Sequence, residues 1–67
     1  MIGQEIKRLR TERRMTQRQL ARAIDVAELA VYRWERGLRQ PRIANLQRLA
    51  GAFDVPIAAL FGDTADI

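Results

Sequence analysis

The segment Met15–Gly37, MTQRQLARAIDVAELAVYRWERG, carries the strongest local folding instructions in this chain. Thr16 and Gln19 have the spacing of a capping box, in which each side chain occupies a backbone donor that a helix start leaves free. Met15 before the cap and Leu20 four residues after it form the matching hydrophobic staple. A helix therefore starts at Thr16, with Leu20, Ala21 and Ile24 on its buried face and Gln17, Arg18 and Arg22 outside. Ile24-Asp25-Val26-Ala27 is too short to be anything but a tight turn. Such a turn needs one residue with positive φ, which glycine adopts freely and aspartate tolerates, so Asp25 takes it at some cost in strain. Val26 should point inward and pin the turn.

A second helix follows over roughly 28–36. Val31 and Trp34, three apart, face the core, leaving Glu28, Leu29, Tyr32, Arg33 and Arg36 on the outer face. Ala27 is a poor cap, costing about 1 kcal/mol relative to serine or threonine. Glu28 partly offsets this through the helix dipole. Gly37 supplies the left-handed residue that ends the helix.

The flanking chain reads as support for this pair. Ile2, Ile6 and Leu9 fall on one stripe of a helix over 2–14, and Arg10, beside that stripe, can reach inward. Leu38-Arg39-Gln40-Pro41-Arg42 is a basic loop that proline keeps from being helical. A helix over 43–53 places Ile43, Leu46, Leu49, Ala50 and Phe53 on one face. Gly51 weakens it and is expected where another helix approaches closely. Pro56 opens a last short helix, 57–61, whose Leu60 and Phe61 should cover the core. Residues 62–67 read as a frayed tail. Trp34, Phe53 and Phe61 sit at helical spacing among aliphatic residues and are read as core. No aromatic platform for single strands or RNA is then left.

A chain of 67 residues holds one domain, 1–67, which buries only about 60% of the surface its unfolded form exposes. There is no cysteine and no histidine. Disulfides, thiolate metal sites and the commonest general base are thus all absent, and no cofactor, metal or enzymatic activity is expected. Residues 1–48 hold all 12 basic side chains against five acids, and residues 49–67 hold three acids and no base. A basic body with an acidic end suits a polyanion approaching one side. The N-terminus lacks the apolar core of a signal peptide, and Val55–Phe61 is too short to span a bilayer. A cytoplasmic protein is expected, either prokaryotic and nucleoid-associated or phage-encoded.

Two short helices joined by a tight turn inside a bundle of five form a helix-turn-helix. The chain resembles the Xre/Cro/phage-repressor class of helix-turn-helix DNA-binding domains over roughly residues 2–61. The resemblance rests on Thr16-Gln17, Leu20-Ala21, Ile24, Val26, Val31, Trp34-Glu35-Arg36-Gly37, Pro41, Asn45-Leu46 and Leu49-Ala50. It implies an all-α, compact five-helix, lambda-repressor-like domain. It also implies sequence-specific binding of double-stranded DNA by a repressor-like transcriptional regulator, as a homodimer on a two-fold operator.

By the same resemblance, Arg10 and Glu35 form a structural ion pair, and Ala21 lets the recognition helix pack closely. Base reading falls to Glu28, Leu29, Tyr32 and Arg33. Arg33 can take guanine O6 and N7, Glu28 cytosine N4, and Leu29 a thymine methyl. Plainer readings stand beside these: Glu28 as a helix-terminus acid balancing Arg33 or Arg36, and Tyr32 packed along the surface with its hydroxyl on a phosphate. Phosphate contact falls to Gln17, Arg18, Ala30, Arg36, Arg39, Gln40 and Arg42, whereas Arg13, Arg14, Arg22 and Arg48 are read as solvated charges. Dimer contact is assigned to Pro56, Ile57, Leu60 and Phe61. With no separate dimerisation domain, pairing is expected to be weak without DNA. A second reading comes from another class. The outward Leu29, Ala30 and Tyr32 suit a protein partner, as in the antitoxin of a toxin pair or an adaptor.

Overall fold

The computed structural model describes residues 1–62, so most of the tail expectation lies outside the described residues. Four α-helices run in order: α1 (Ile2–Glu12), α2 (Gln17–Ala23), α3 (Glu28–Glu35) and α4 (Ile43–Phe53). The expected last short helix is present as a 3-10 helix, Ile57–Phe61. All regular elements among the described residues are helical, as expected.

All four α-helices stop by one device. The residue that ends the last turn is left-handed, its N–H donates to the carbonyl three residues back, and the next N–H donates to the carbonyl five residues before it. Met15 N donates to Arg10 O at 3.1 Å, Val26 N to Ala21 O at 2.9 Å, Leu38 N to Arg33 O at 2.9 Å and Val55 N to Ala50 O at 3.0 Å. The left-handed positions are Arg14 (φ 56°), Asp25 (φ 59°), Gly37 (φ 74°) and Asp54 (φ 57°). Asp25 and Gly37 were legible from the sequence. Arg14 was not, and it stops α1 at Glu12, two residues short of the expected end. In this motif the residue after the left-handed one usually packs back on its helix. Met15, Val26 and Val55 do so, half-buried against the core. Leu38 does not and stays exposed.

α2 begins as its sequence requires. Gln19 N donates to Thr16 Oγ1 at 3.0 Å and Thr16 N to Gln19 Oε1 at 2.8 Å, so the capping box is complete. Ala27 gives α3 no side-chain cap. The core joins Ile6 and Leu9 of α1, Leu20, Ala21 and Ile24 around α2, Val31 and Trp34 of α3, Leu46, Leu49, Ala50 and Phe53 of α4, and Leu60.

Three packing expectations are corrected. Ile43 is 70% exposed, because it is the first residue of α4 and lies beyond the buried stripe that Leu46 opens. Phe61 is 50% exposed while Leu60 is fully buried. A 3-10 helix turns by a third of a circle per residue, so adjacent residues cannot share its inner face. Gly51 has nothing within 4 Å of a built Cβ, so no helix approaches it. The close approach lies at Gly3, where a Cβ would press on the Trp34 carbonyl oxygen and sit 3.0 Å from that of Glu35. The start of α1 thus rests directly on the end of α3.

Candidate nucleic-acid interface

α3 is held from behind by a polar junction inside an otherwise apolar core. Arg10 Nε donates to Glu35 Oε2 at 2.6 Å and Nη2 to Oε1 at 2.9 Å, a bidentate pair. Its third nitrogen, Nη1, donates to the Met15 carbonyl at 2.8 Å. The Arg10 and Glu35 side chains are only 11% and 2% exposed. Gln17 completes the junction, its Nε2 donating to Glu35 Oε1 at 3.0 Å. Glu35 therefore ties α1 and the start of α2 to the end of α3, and Arg10 adds the α1–α2 link. The ion pair is as expected, but Gln17 is not outside. It is half-buried, and its amide N–H₂ is directed at Glu35.

Arg13 also departs from expectation. It is not a solvated charge. Nη1 donates to the Leu9 carbonyl at 3.0 Å and Nη2 to the Phe53 carbonyl at 2.7 Å, while the guanidinium lies 5.3 Å from the Phe53 ring centre. It satisfies carbonyls at the ends of both α1 and α4. No spacing rule announces this, since the partner is forty residues away. Arg8 bridges Glu5 at 2.7 Å and Glu12 at 3.0 Å along α1; these hydrogen bonds, Glu5's foremost, raise its pKa above the ordinary arginine value. Both contacts are on the surface.

The outward side of α3 is divided. Gln17, Glu28, Leu29 and Tyr32 line a shallow groove of about 420 Å³. Leu29 is 52% and Tyr32 39% exposed, and the Arg36 guanidinium sits 5.7 Å from the Tyr32 ring centre. On the other flank, Ala30, Arg33 and Trp34 join Arg39, Gln40, Arg42 and Asn45 around a depression of about 200 Å³. Ala30 is half-buried and packed on the core. Pro41 is buried, which anchors the loop while Arg39, Gln40 and Arg42 on either side of it remain exposed. Arg18 is exposed at the start of α2. The ion pairs found among the described residues involve Arg8, Arg10 and Arg13; none reaches Arg33, Arg36, Arg39 or Arg42.

Of the residues assigned to dimer contact, Pro56, Ile57 and Phe61 present exposed surface at the far end of the chain. Leu60 is fully buried within the domain and offers a partner nothing, which corrects its assignment. Met1, Leu38 and Ile43 are also exposed. No helix among the described residues is long and apolar enough to cross a membrane.

Two helices joined through a left-handed Asp25, the second with one face buried and one free, define a helix-turn-helix. The chain belongs to the Helix-turn-helix family, whose model matches residues 6–60. It is 33% identical over 64 residues to the cryptic phage CTXphi transcriptional repressor RstR of Vibrio cholerae, covering 96% of this chain and 58% of that protein. It is 34% identical over 62 residues to the immunity repressor protein of Bacillus phage phi105, covering 92% and 43%. The chain therefore spans about half the length of these curated relatives. Among solved structures, SinR, a master regulator of biofilm formation crystallised in complex with DNA, superposes with a TM-score of 0.86 at 34% identity, covering 91% of this chain and 98% of that one. SinR in its complex with SinI gives 0.86 at 33% identity, covering 98% and 68%.

Proposed function

We propose that this domain binds double-stranded DNA in a sequence-specific manner as part of a repressor-like transcriptional regulator. One observation carries the reading. The free face of a rigidly held helix is bordered by four exposed arginines, Arg33, Arg36, Arg39 and Arg42, none ion-paired among the described residues. The phage repressors and the DNA-bound SinR among its relatives support it. In this reading α3 enters the major groove, with Glu28, Leu29 and Tyr32 at base edges and Arg33 beside them. Arg18, Arg36, Arg39, Gln40 and Arg42 fix register on phosphates. Gln17 and Ala30 complete the phosphate set, Gln17 through its main chain, since its amide is already engaged by Glu35.

One such helix reads few base pairs, so a homodimer on a two-fold site is proposed, paired through Pro56, Ile57 and Phe61. Half-site centres would lie about 34 Å apart, one turn of DNA. The domain acts as a binding module without catalysis or cofactor, in the cytoplasm. The test is selection from random duplex DNA followed by a salt titration on the winning sequence. A palindromic consensus with a steep loss of affinity at higher salt is expected; no enrichment at any salt would end the reading.

A protein partner is the second reading, favoured by the apolar exposure of Leu29 and Tyr32 and by the SinR–SinI complex among the relatives. A DNA-independent, salt-insensitive complex that is lost on Leu29→Lys would support it.

A further inference from the structure

We infer that Arg33 is not a base reader but the third member of a phosphate clamp formed with Arg39 and Arg42. The inference rests on the DNA-binding reading and divides the labour across the outer face of α3. Arg33 lines the depression that also takes Arg39, Gln40, Arg42 and Asn45, whereas Glu28, Leu29 and Tyr32 line the separate groove beside Gln17. Ala30 and Arg33, one helical turn apart, share the flank turned toward the loop. The depression is small, about 200 Å³, with room for a phosphate group and its first waters. Three arginines line it, and among the described residues no carboxylate pairs with any of them. Like charges crowded into one recess repel, and an oxyanion removes that repulsion while accepting their fork-shaped donor sets. Asn45 and Gln40 line the same recess and carry neutral amide donors. Buried Pro41 holds the loop arginines at a fixed distance from α3, so the recess is present before any anion arrives.

If Arg33 belongs to the recess, sequence is read by an acid, an aliphatic and an aromatic side chain. Glu28 accepts from cytosine, Leu29 meets a thymine methyl, and Tyr32 is steadied by Arg36. Preference should then sit at the base pairs facing Glu28 and Leu29, with no arginine–guanine contact in the half-site.

Two measurements test this. Arg33 is exposed, so Arg33→Ala should fold, as circular dichroism will verify. Binding to the selected duplex and to a scrambled one should weaken by the same factor, roughly three- to tenfold, and the salt slope should shrink by about one unit. Arg33→Lys should restore the slope, because a point charge serves a phosphate but not a bidentate guanine contact. A loss confined to one base-pair position, unrescued by lysine, would overturn the inference. The second measurement needs no DNA. Inorganic phosphate should shift the Nε–H resonances of Arg33, Arg39 and Arg42 together, and Arg33→Ala should weaken the response of the other two. Silence at Arg33, whether or not the loop arginines respond, would also refute the clamp. Should the wild-type domain bind no duplex at all, the DNA reading fails, and the phosphate titration alone decides the recess.

Discussion

Glu28 opens α3 and Glu35 closes it, and the two carboxylates live under opposite conditions. The Glu35 side chain is 2% exposed and accepts from Arg10 twice and from Gln17 once. Glu28 is exposed and has no ion-pair partner among the described residues. The same contrast divides the whole helix. Its inner side is engaged: each nitrogen of the Arg10 guanidinium donates to a specific acceptor, and Val31 and Trp34 are packed. Its outer side carries cations that are not ion-paired among the described residues, beside exposed Leu29 and Tyr32. A helix can present unsatisfied groups to a ligand only if its position is settled without them. The polar junction at Glu35 is what frees the outer face from structural duty.

The contrast predicts that damage behind α3 is read in stability and damage in front of it is read in binding. Arg10→Met should have the largest effect. It leaves a buried carboxylate with one amide partner, and losing one side of a buried pair costs about 3–5 kcal/mol, measured by urea denaturation. The double variant Arg10→Met/Glu35→Leu should recover much of that loss, because it removes the stranded charge as well. If the single and double variants were equally unstable, the junction would be ordinary packing.

Gly3→Ala comes next. Its new Cβ presses on the carbonyls of Trp34 and Glu35, backbone atoms that cannot swing away. A loss of about 1–3 kcal/mol is expected, with α3 amide resonances shifted; an unchanged melting temperature would show that α1 slides freely over α3. Thr16→Ala should cost about 1 kcal/mol by removing the cap of α2. Its effect on thermal unfolding should be matched by loss of amide protection in Gln17–Gln19 only. Smallest in stability is Arg39→Ala, within about 0.5 kcal/mol of wild type. It should nevertheless weaken binding to every duplex and lower the salt slope by about one unit. An unchanged slope would place Arg39 outside the interface and blur the division between the two sides.

How far the sequence can be read depends on how far apart the partners are. The Thr16–Gln19 box, the Met15–Leu20 staple, left-handed Asp25 and the Gly37 stop were all legible, because each is settled within a few residues. Arg10 with Glu35 was legible only through family resemblance, since no local rule joins positions on α1 and α3. Arg13 was misread for the same reason: its acceptor, the Phe53 carbonyl, is created when α1 and α4 meet. Of the candidate site, the exposure of Glu28, Leu29, Tyr32, Arg33 and Arg36 followed from helical periodicity. The inward amide of Gln17 and the burial of Leu60 did not.

Local chemistry decided where these helices begin, which stripe of each is apolar and where the chain must turn. Those choices depend on backbone donors and steric limits within a turn or two. Packing decided the rest. Ile43 and Phe61 have the same hydrophobicity on the surface as they would have in the core, so pattern cannot say which of them finds a neighbour. Gly51 and Gly3 look alike in sequence, yet only Gly3 has a backbone pressed against it. Whether a side chain on α3 faces a base edge or an arginine-lined recess likewise depends on where the Pro41 loop comes to rest, and that position exists only once all the helices are assembled.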